Sequence, residues 1–357
     1  MNLAFASIVF LAVALGWILL PLLPAFHELR FRTDAEPLQV VRRSDTNIRH
    51  FALGFREFLQ KHFAAHLDRC DLTDEPQYGE LTDGTPFRVL PETVEEPPAD
   101  DQNEIADIDP HLMLSCGNLK LAAGTTYPRE IYTRGSLSAG EGASLRAALA
   151  DQSIYLGDGC TSFRWLHAAG EVHTGSECTL YGRVSADRLI KLGDDCRFER
   201  LHAPRIEFGA PAPARAATGP GEEVDLENHP RLSDYSAGRF LFQRKLEIPA
   251  GGHVQGDIVV AGKLKIGAGA RIEGNLKSHD DLELADDVRI TGSVVSGKDL
   301  RLGDGCVLGG PVVAEQRAEV GAGCTFGDEE NPTTLSARGL KIGPGVVAHG
   351  TVWGGDS

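Results

Sequence analysis

KIGAGARIEGNL (265–276) is followed by two further copies of the same pattern, ELADDVRITGSV (283–294) and RLGDGCVLGGPV (301–312). The aliphatic residue at the second position of each copy recurs at a constant interval. We call these recurring aliphatic positions a column. The column continues in both directions, and its members are Ile248, Ile266, Leu284, Leu302, Val320 and, after a longer step, Ile342. A fixed period is typical of repeat proteins, in which each repeat packs only on its neighbours.

The spacing inside one repeat predicts its shape. Apolar or small residues follow Ile266 at Ala270, Ile272, Leu276, Ser278 and Leu282, so gaps of four and two residues alternate. A gap of two places both side chains on one face of a β-strand, and a gap of four spans a corner. Three strands and three corners per repeat predict an all-β fold, a triangular parallel β-helix. Each turn of this solenoid, here called a rung, corresponds to one repeat of about 18 residues.

The same repeat divides the carboxy-terminal part of the chain into two blocks. It recurs earlier at Leu121, Ala139, Leu156, Thr174 and Leu192, with the same interval or one position less. A stretch rich in Pro, Gly and Ala separates the blocks, which indicates an insertion. We predict β-helix block 1 at 111–208, the insertion at 209–236 and β-helix block 2 at 237–357.

Five cysteines fit the repeat as ladders of buried side chains. Each lies four residues after a column position, and together they are Cys160, Cys178, Cys196, Cys306 and Cys324. A free cysteine in such a position behaves as a compact hydrophobic residue. Metal binding and disulfide formation are the alternatives, but CxxC spacing is absent and a reducing compartment disfavours disulfides. We therefore expect neither a metal nor a cofactor.

Residues 1–27 predict a transmembrane anchor. The segment from Leu3 to Phe26 has no charged residue and, at about 1.5 Å per residue, is long enough for a hydrocarbon core of about 30 Å. A cleaved signal peptide is the alternative, but no small-x-small cleavage site follows. Basic residues come only after the segment, so the positive-inside rule predicts a single-pass inner-membrane protein with a cytoplasmic carboxy-terminal domain. Residues assigned to the anchor include Leu3, Phe10, Leu15, Trp17, Leu20, Leu23 and Phe26.

Two ranges connect the anchor to the solenoid. In the basic juxtamembrane range 28–70, Phe51, Phe55, Leu59 and Phe63 recur at helical spacing and predict an amphipathic helix. Three interpretations of this helix are open: it lies on an anionic membrane surface, pairs with a copy of itself, or docks on the following domain. The range 71–110 is acidic and contains prolines, which predicts an extended linker.

Charge and motifs exclude two classes of ligand. The net charge is −16, whereas binding to nucleic acid needs clustered Lys and Arg to neutralise phosphates. GSVVSGK (292–298) imitates a phosphate-binding loop, but Asp299 stands where a Ser or Thr would bind magnesium. We therefore expect neither nucleic acid nor nucleotide as a partner.

The segment 252–352, with its L-x-I-G-x-G-A-x-I-x-G-x-L and V-x-G-x-V phrases, resembles the bactofilins, polymer-forming cytoskeletal proteins of bacteria. The resemblance implies a right-handed β-helix that associates end to end into nucleotide-independent filaments. It also implies attachment to the inner membrane and contact with envelope or polysaccharide-synthesis proteins.

The final rung is the candidate self-association surface. Only four residues follow Val346–Trp353, so we expect an open edge at which Val346, Val352 and Trp353 contact a second chain. The alternative is that a loop or the amino-terminal helix folds over this rung.

The expected function is a membrane-anchored structural scaffold and not an enzyme. Hexapeptide-type sugar acyltransferases also use triangular coils of this length and are one alternative. In this chain the histidines, among them His167, His202 and His349, fall at different places in the repeat, so no general base is assigned. A platform that recruits proteins without polymerising is the other alternative.

Overall fold

The computed structural model describes residues 49–70, 75–91, 94–95, 108–213, 221–236 and 238–355. Within these residues the chain forms one α-helix and a parallel β-solenoid of about 13 turns. The predicted anchor at 1–27 lies outside the described residues. The helix in the described part is not apolar enough to cross a membrane.

The helix and the first strands precede block 1. They are α1 (His50–Cys70), β1 (Gln77–Glu80), β2 (Pro86–Leu90) and β3 (Val94–Glu95). The three strands lie within the range 71–110, for which the sequence predicts a linker. β2 pairs in parallel with Leu112–Ser115 and antiparallel with β1, and β3 pairs with Leu119–Leu121. The solenoid therefore begins about one rung earlier than the predicted boundary at residue 111.

Block 1 consists of eleven strands. They are β4 (Leu112–Ser115), β5 (Leu119–Leu121), β6 (Thr126–Thr133), β7 (Leu137–Ala139), β8 (Ser144–Ala150), β9 (Ile154–Leu156), β10 (Thr161–Ala168), β11 (Glu171–Thr174), β12 (Thr179–Ala186), β13 (Leu189–Leu192) and β14 (Arg197–Phe208). The longer strands bend around a corner and contribute to two faces of the triangle, so three faces are built by successive parallel pairings such as β8 with β10 and β10 with β12.

Block 2, with the strand that precedes it, consists of seventeen strands. They are β15 (Leu232–Ser236), β16 (Arg239–Phe242), β17 (Leu246–Ile248), β18 (His253–Gln255), β19 (Asp257–Val260), β20 (Leu264–Ile266), β21 (Arg271–Glu273), β22 (Leu276–Ser278), β23 (Leu282–Leu284), β24 (Arg289–Ile290), β25 (Val294–Ser296), β26 (Leu300–Leu302), β27 (Val307–Leu308), β28 (Val312–Val320), β29 (Thr325–Phe326), β30 (Thr333–Ile342) and β31 (Val346–Gly354).

In block 2, residues one repeat apart in the sequence are paired on neighbouring strands. Ile266 pairs with Ile248 on one side and with Leu284 on the other, and the column continues through Leu302 to Val320. All five side chains are buried. Apolar residues stacked in this way exclude water along the axis of the solenoid, which is the main stabilising contribution that the repeat supplies.

The predicted insertion at 209–236 contributes a cap to block 2. β15 pairs antiparallel with β16, Glu223 forms a bridge with His253, and the side chain of Leu226 is buried in the core. This part of the insertion covers two of the three edges of the first rung of block 2, which would otherwise expose their main-chain groups.

α1 packs on an outer face of block 1. The ring of Phe63 lies 5.0 Å from that of Phe87, and the ring of Phe55 lies 5.6 Å from that of Trp165. The predicted helix is present, and docking on the following domain is the one of its three interpretations that the structure shows. Phe55, Leu59 and Phe63 are buried against the solenoid, whereas Phe51 is exposed. At the end of α1, Cys70 forms a disulfide with Cys116, which sequence reasoning did not predict.

Candidate functional site

The two blocks are joined through their last strands. β14 pairs antiparallel with β31, and the pairs run from Arg200 with Trp353 to Phe208 with Val346. We call this pairing the joint. It connects two of the three faces of block 1 with two faces of block 2, so the expected open edge of the final rung is wrong. The main-chain groups of β31 are shared between β14 and its own block.

The core runs through the joint without interruption. Leu201 and Val352 are opposed across it, and both side chains are fully buried, as is Val346. Apolar side chains that alternate inward on both strands make the pairing favourable, because each block would otherwise expose a terminal apolar layer. Of the three residues expected to contact a second chain, Trp353 alone is exposed, and it lies on the outer surface of the joint.

Polar side chains bridge the joint on its outer surface. His202 Nδ1 and Thr351 Oγ1 lie 3.0 Å apart, and His349 Nδ1 donates to the carbonyl oxygen of Pro204 at 2.8 Å. Burial lowers the pKa of His202, and the positive charge of Arg49 lowers it further. His202 is therefore neutral at pH 7 and acts at the joint as a hydrogen-bonding group.

Gly345 allows the chain after block 1 to pass close to block 2. Its φ is +71°, a conformation that favours glycine. A Cβ atom at this position would lie 2.2 Å from the main-chain nitrogen of Ala212. The N–H of Gly345 donates to the carbonyl oxygen of Phe208 at 2.7 Å, which fixes the end of block 1 against the last corner of block 2.

A cleft of about 940 Å³ replaces pairing on the third face of the joint. Its walls are the corner that contains Asp194 and Cys196 and the segment from Leu340 to Pro344. Cys196 and Ile342 are only partly buried, unlike the other members of their columns, because they line this cleft. A hydrogen bond with Cys178 and burial raise the pKa of the Cys196 thiol, so it is not a thiolate nucleophile at pH 7.

The five ladder cysteines are free, and four of them are fully buried. Each thiol donates to a main-chain carbonyl oxygen of the preceding rung, as Cys160 does to Gly140 and Cys324 to Gly303. These contacts are those of compact core residues, in keeping with the structural role that the period predicts for them.

A cluster of serine, histidine and aspartate lies near the start of α1. His167 Nδ1 is 2.9 Å from Ser185 Oγ, and His167 Nε2 is 4.0 Å from Asp187, which also pairs with Arg49 at 3.0 Å. These residue types serve in nucleophilic catalysis when the serine meets substrate. Ser185 is 2 % exposed and does not meet substrate, and the half-exposed pair of Asp187 with Arg49 links this network to the start of the helix. Sequence reasoning missed it, although Ser185 follows His167 by one repeat.

The fold defines the chain as a parallel β-solenoid repeat protein. Comparisons with protein-family models, with curated proteins and with solved structures gave no match.

Proposed function

We propose that the chain is a membrane-anchored structural scaffold. The joint is the observation that carries this proposal, because it makes two solenoids into one rod with a shared core. With rungs about 4.8 Å apart, about 13 turns give a rod of about 60 Å. Hydrogen bonds between strands run along the rod axis in every rung, which favours stiffness and suits a support for other proteins.

The anchor of this scaffold is the apolar segment from Leu3 to Phe26. Its flanking basic residues favour a cytoplasmic solenoid at the inner membrane. The disulfide between Cys70 and Cys116 favours an oxidising compartment, because such bonds are rare in the cytosol. Labelling of an added surface cysteine by a membrane-impermeant maleimide in intact cells decides between the two sides.

Self-association through a rod end is a second function, and it is favoured by an unpaired edge in the first rung of block 2. Within the described residues β17 pairs with β20 alone. Leu246 N–H donates to the carbonyl oxygen of Lys263, and the carbonyl oxygen of Ile248 accepts from the N–H of Gly267, so both groups point towards β20. Because alternate residues of a strand point to opposite edges, the N–H of Glu247 points to the unpaired edge. A second chain can pair there.

Electron microscopy of the full chain in detergent, without nucleotide and over a concentration series, tests both functions. We expect single rods at low concentration and filaments of such rods at high concentration. The expectation of filaments is supported by the resemblance to bactofilins. E247P removes the free N–H at the unpaired edge and should shorten the filaments, whereas E247Q keeps this group and serves as the control. Rods that never associate contradict polymer formation and leave a recruiting platform. Compact particles without a rod shape contradict the scaffold.

A further inference from the structure

Two arginines lie side by side on the outer surface next to the joint. Arg183 on β12 and Arg200 on β14 are register partners on adjacent strands. The main chains of such strands lie about 4.8 Å apart. The guanidinium carbon of Arg183 lies 5.0 Å from the ring centroid of Phe51, and that of Arg200 lies 5.6 Å from the ring of Trp353. We call these four residues the arginine–aromatic patch.

The two guanidinium groups have no acidic partner among the described residues. Asp187, a nearby carboxylate, pairs with Arg49, and Glu199 accepts a hydrogen bond from the N–H of Gly182. The Nε atom of Arg200 is buried and makes no hydrogen bond. Burial lowers the pKa of Arg200, and the positive charge of Arg183 lowers it further.

This arrangement differs from that of comparable arginines nearby. Arg188 pairs with Glu171 at 3.5 Å, and Arg205 pairs with Glu207 at 2.7 Å. In a chain with a net charge of −16, two adjacent and unneutralised guanidinium groups form a local positive site. Guanidinium groups stacked on aromatic rings keep their N–H edges open to phosphate oxygens.

Exposed aromatic side chains extend the patch along the neighbouring corner. Phe163 and Tyr181 are about half exposed, and their rings stack 6.4 Å apart. Phe51 and Trp353 are also exposed, at 41 % and 51 %. Aromatic rings beside arginines are typical of protein surfaces at the boundary between lipid and water, where the ring enters the headgroup region and the charge meets phosphate.

Arg49, which directly precedes α1, forms an ion pair with Asp187. In the sequence, residues 27–48 separate the apolar segment that ends at Phe26 from Arg49, so an anchored chain keeps the patch within reach of the bilayer. We propose that the arginine–aromatic patch docks the side of the rod on the surface of an anionic bilayer, with Arg183 and Arg200 binding lipid phosphates. This inference rests on the membrane anchor of the proposed function.

The test is hydroxyl-radical footprinting of the full chain in two kinds of lipid nanodisc. One contains phosphatidylcholine alone, and the other is a mixture of phosphatidylcholine and phosphatidylglycerol. We expect Trp353 and Tyr181 to be oxidised several-fold more slowly in the anionic disc. Tyr235, which is similarly exposed at the far end of block 2, should react equally in both.

R183Q/R200Q removes the two charges and should lower the ratio of docked to undocked protein about 30-fold, which equals about 2 kcal/mol for two arginines at the surface. R188Q/R205Q removes two arginines that have acidic partners and should keep the lipid-dependent protection. Equal oxidation of Trp353 in both discs overturns the proposal, and so does protection that survives R183Q/R200Q. A chain that enters neither disc refutes the anchor instead. In that case footprinting is repeated after vesicles of the same two lipid compositions are added to the chain, and slower oxidation of Trp353 with the anionic vesicles tests the patch independently of the anchor.

Discussion

His202 and Thr351 face each other across the joint, so a pair of cysteines at these positions reports whether the joint forms within one chain. Antiparallel partners have Cα atoms about 4.5 to 5.5 Å apart, a separation that a disulfide bridges without moving the main chain. We expect H202C/T351C to form an intramolecular disulfide under mild oxidation. Thr334 pairs with Thr351 on the other edge of β31, so H202C/T334C spans about 10 Å and should not cross-link.

The size of the effect follows from the length of chain between the two positions. They are 149 residues apart in the sequence. Closing a loop of this length removes enough entropy from the unfolded chain to raise the free energy of unfolding by about 5 kcal/mol. We expect the oxidised variant to unfold at clearly higher urea concentration than the wild type, measured by circular dichroism without reductant so that the native disulfide stays intact in both.

Non-reducing gels and mass spectrometry of the cross-linked peptides provide the assay. Mixing isotopically light and heavy chains before oxidation separates cross-links within a chain from those between chains. A random distribution of light, mixed-isotope and heavy cross-linked peptides would refute the intramolecular joint, and it would place Val346, Val352 and Trp353 at a contact with a second copy. Equal cross-linking of the control variant would refute the register of β14 and β31.

Three further predictions concern stability and thiol chemistry. Phe63→Ala should lower the free energy of unfolding by about 3 to 5 kcal/mol because it leaves a cavity under α1, whereas exposed Leu53→Ala should change it by less than about 0.5 kcal/mol, both measured by urea denaturation. Thiol counting by mass spectrometry of unreduced protein should find Cys70 and Cys116 blocked, and two free thiols there would contradict the pairing. The bond joins positions 46 residues apart, so reducing it should lower the free energy of unfolding by up to about 4 kcal/mol. Burial lowers the pKa of His167 below the ordinary value of 6.5. The free energy of unfolding should therefore fall as the pH drops below 6.5, because the unfolded chain gains a proton that the folded chain resists. His167→Gln should make this dependence of stability on pH less steep, and an unchanged dependence would contradict the argument.

The repeat was predictable because its signal is local and periodic. Ile266 and Leu284 show their shared face through spacing alone, and the ladder of Cys306 and Cys324 follows from the same period. The corners and the inward columns need no knowledge of distant contacts, since each rung pairs with the next rung along the chain. The helix was predictable for the same reason, from its spacing of four.

The joint was not predictable from spacing. Leu201 and Val352 point inward by the same alternation whether the edge of their strand faces solvent, pairs with another chain or pairs within the chain. The sequence pattern therefore does not show what a strand edge pairs with. Cys70 ends α1 and Cys116 follows β4, and only the docking of α1 brings them together. The arginine–aromatic patch likewise draws Phe51 and Trp353 from opposite ends of the described chain.

The antiparallel joint also determines the direction of the rod. The two solenoids meet through their carboxy-terminal rungs, so both outer ends of the molecule are amino-terminal rungs. Rods that stack through those ends meet amino-terminal edge against amino-terminal edge, and the strand direction reverses at every contact. In such a filament the direction of the strands alternates from block to block, in contrast to a continuous solenoid, in which every strand pair is parallel. Direction along the filament is therefore carried by the differences between the two blocks and not by the course of the main chain.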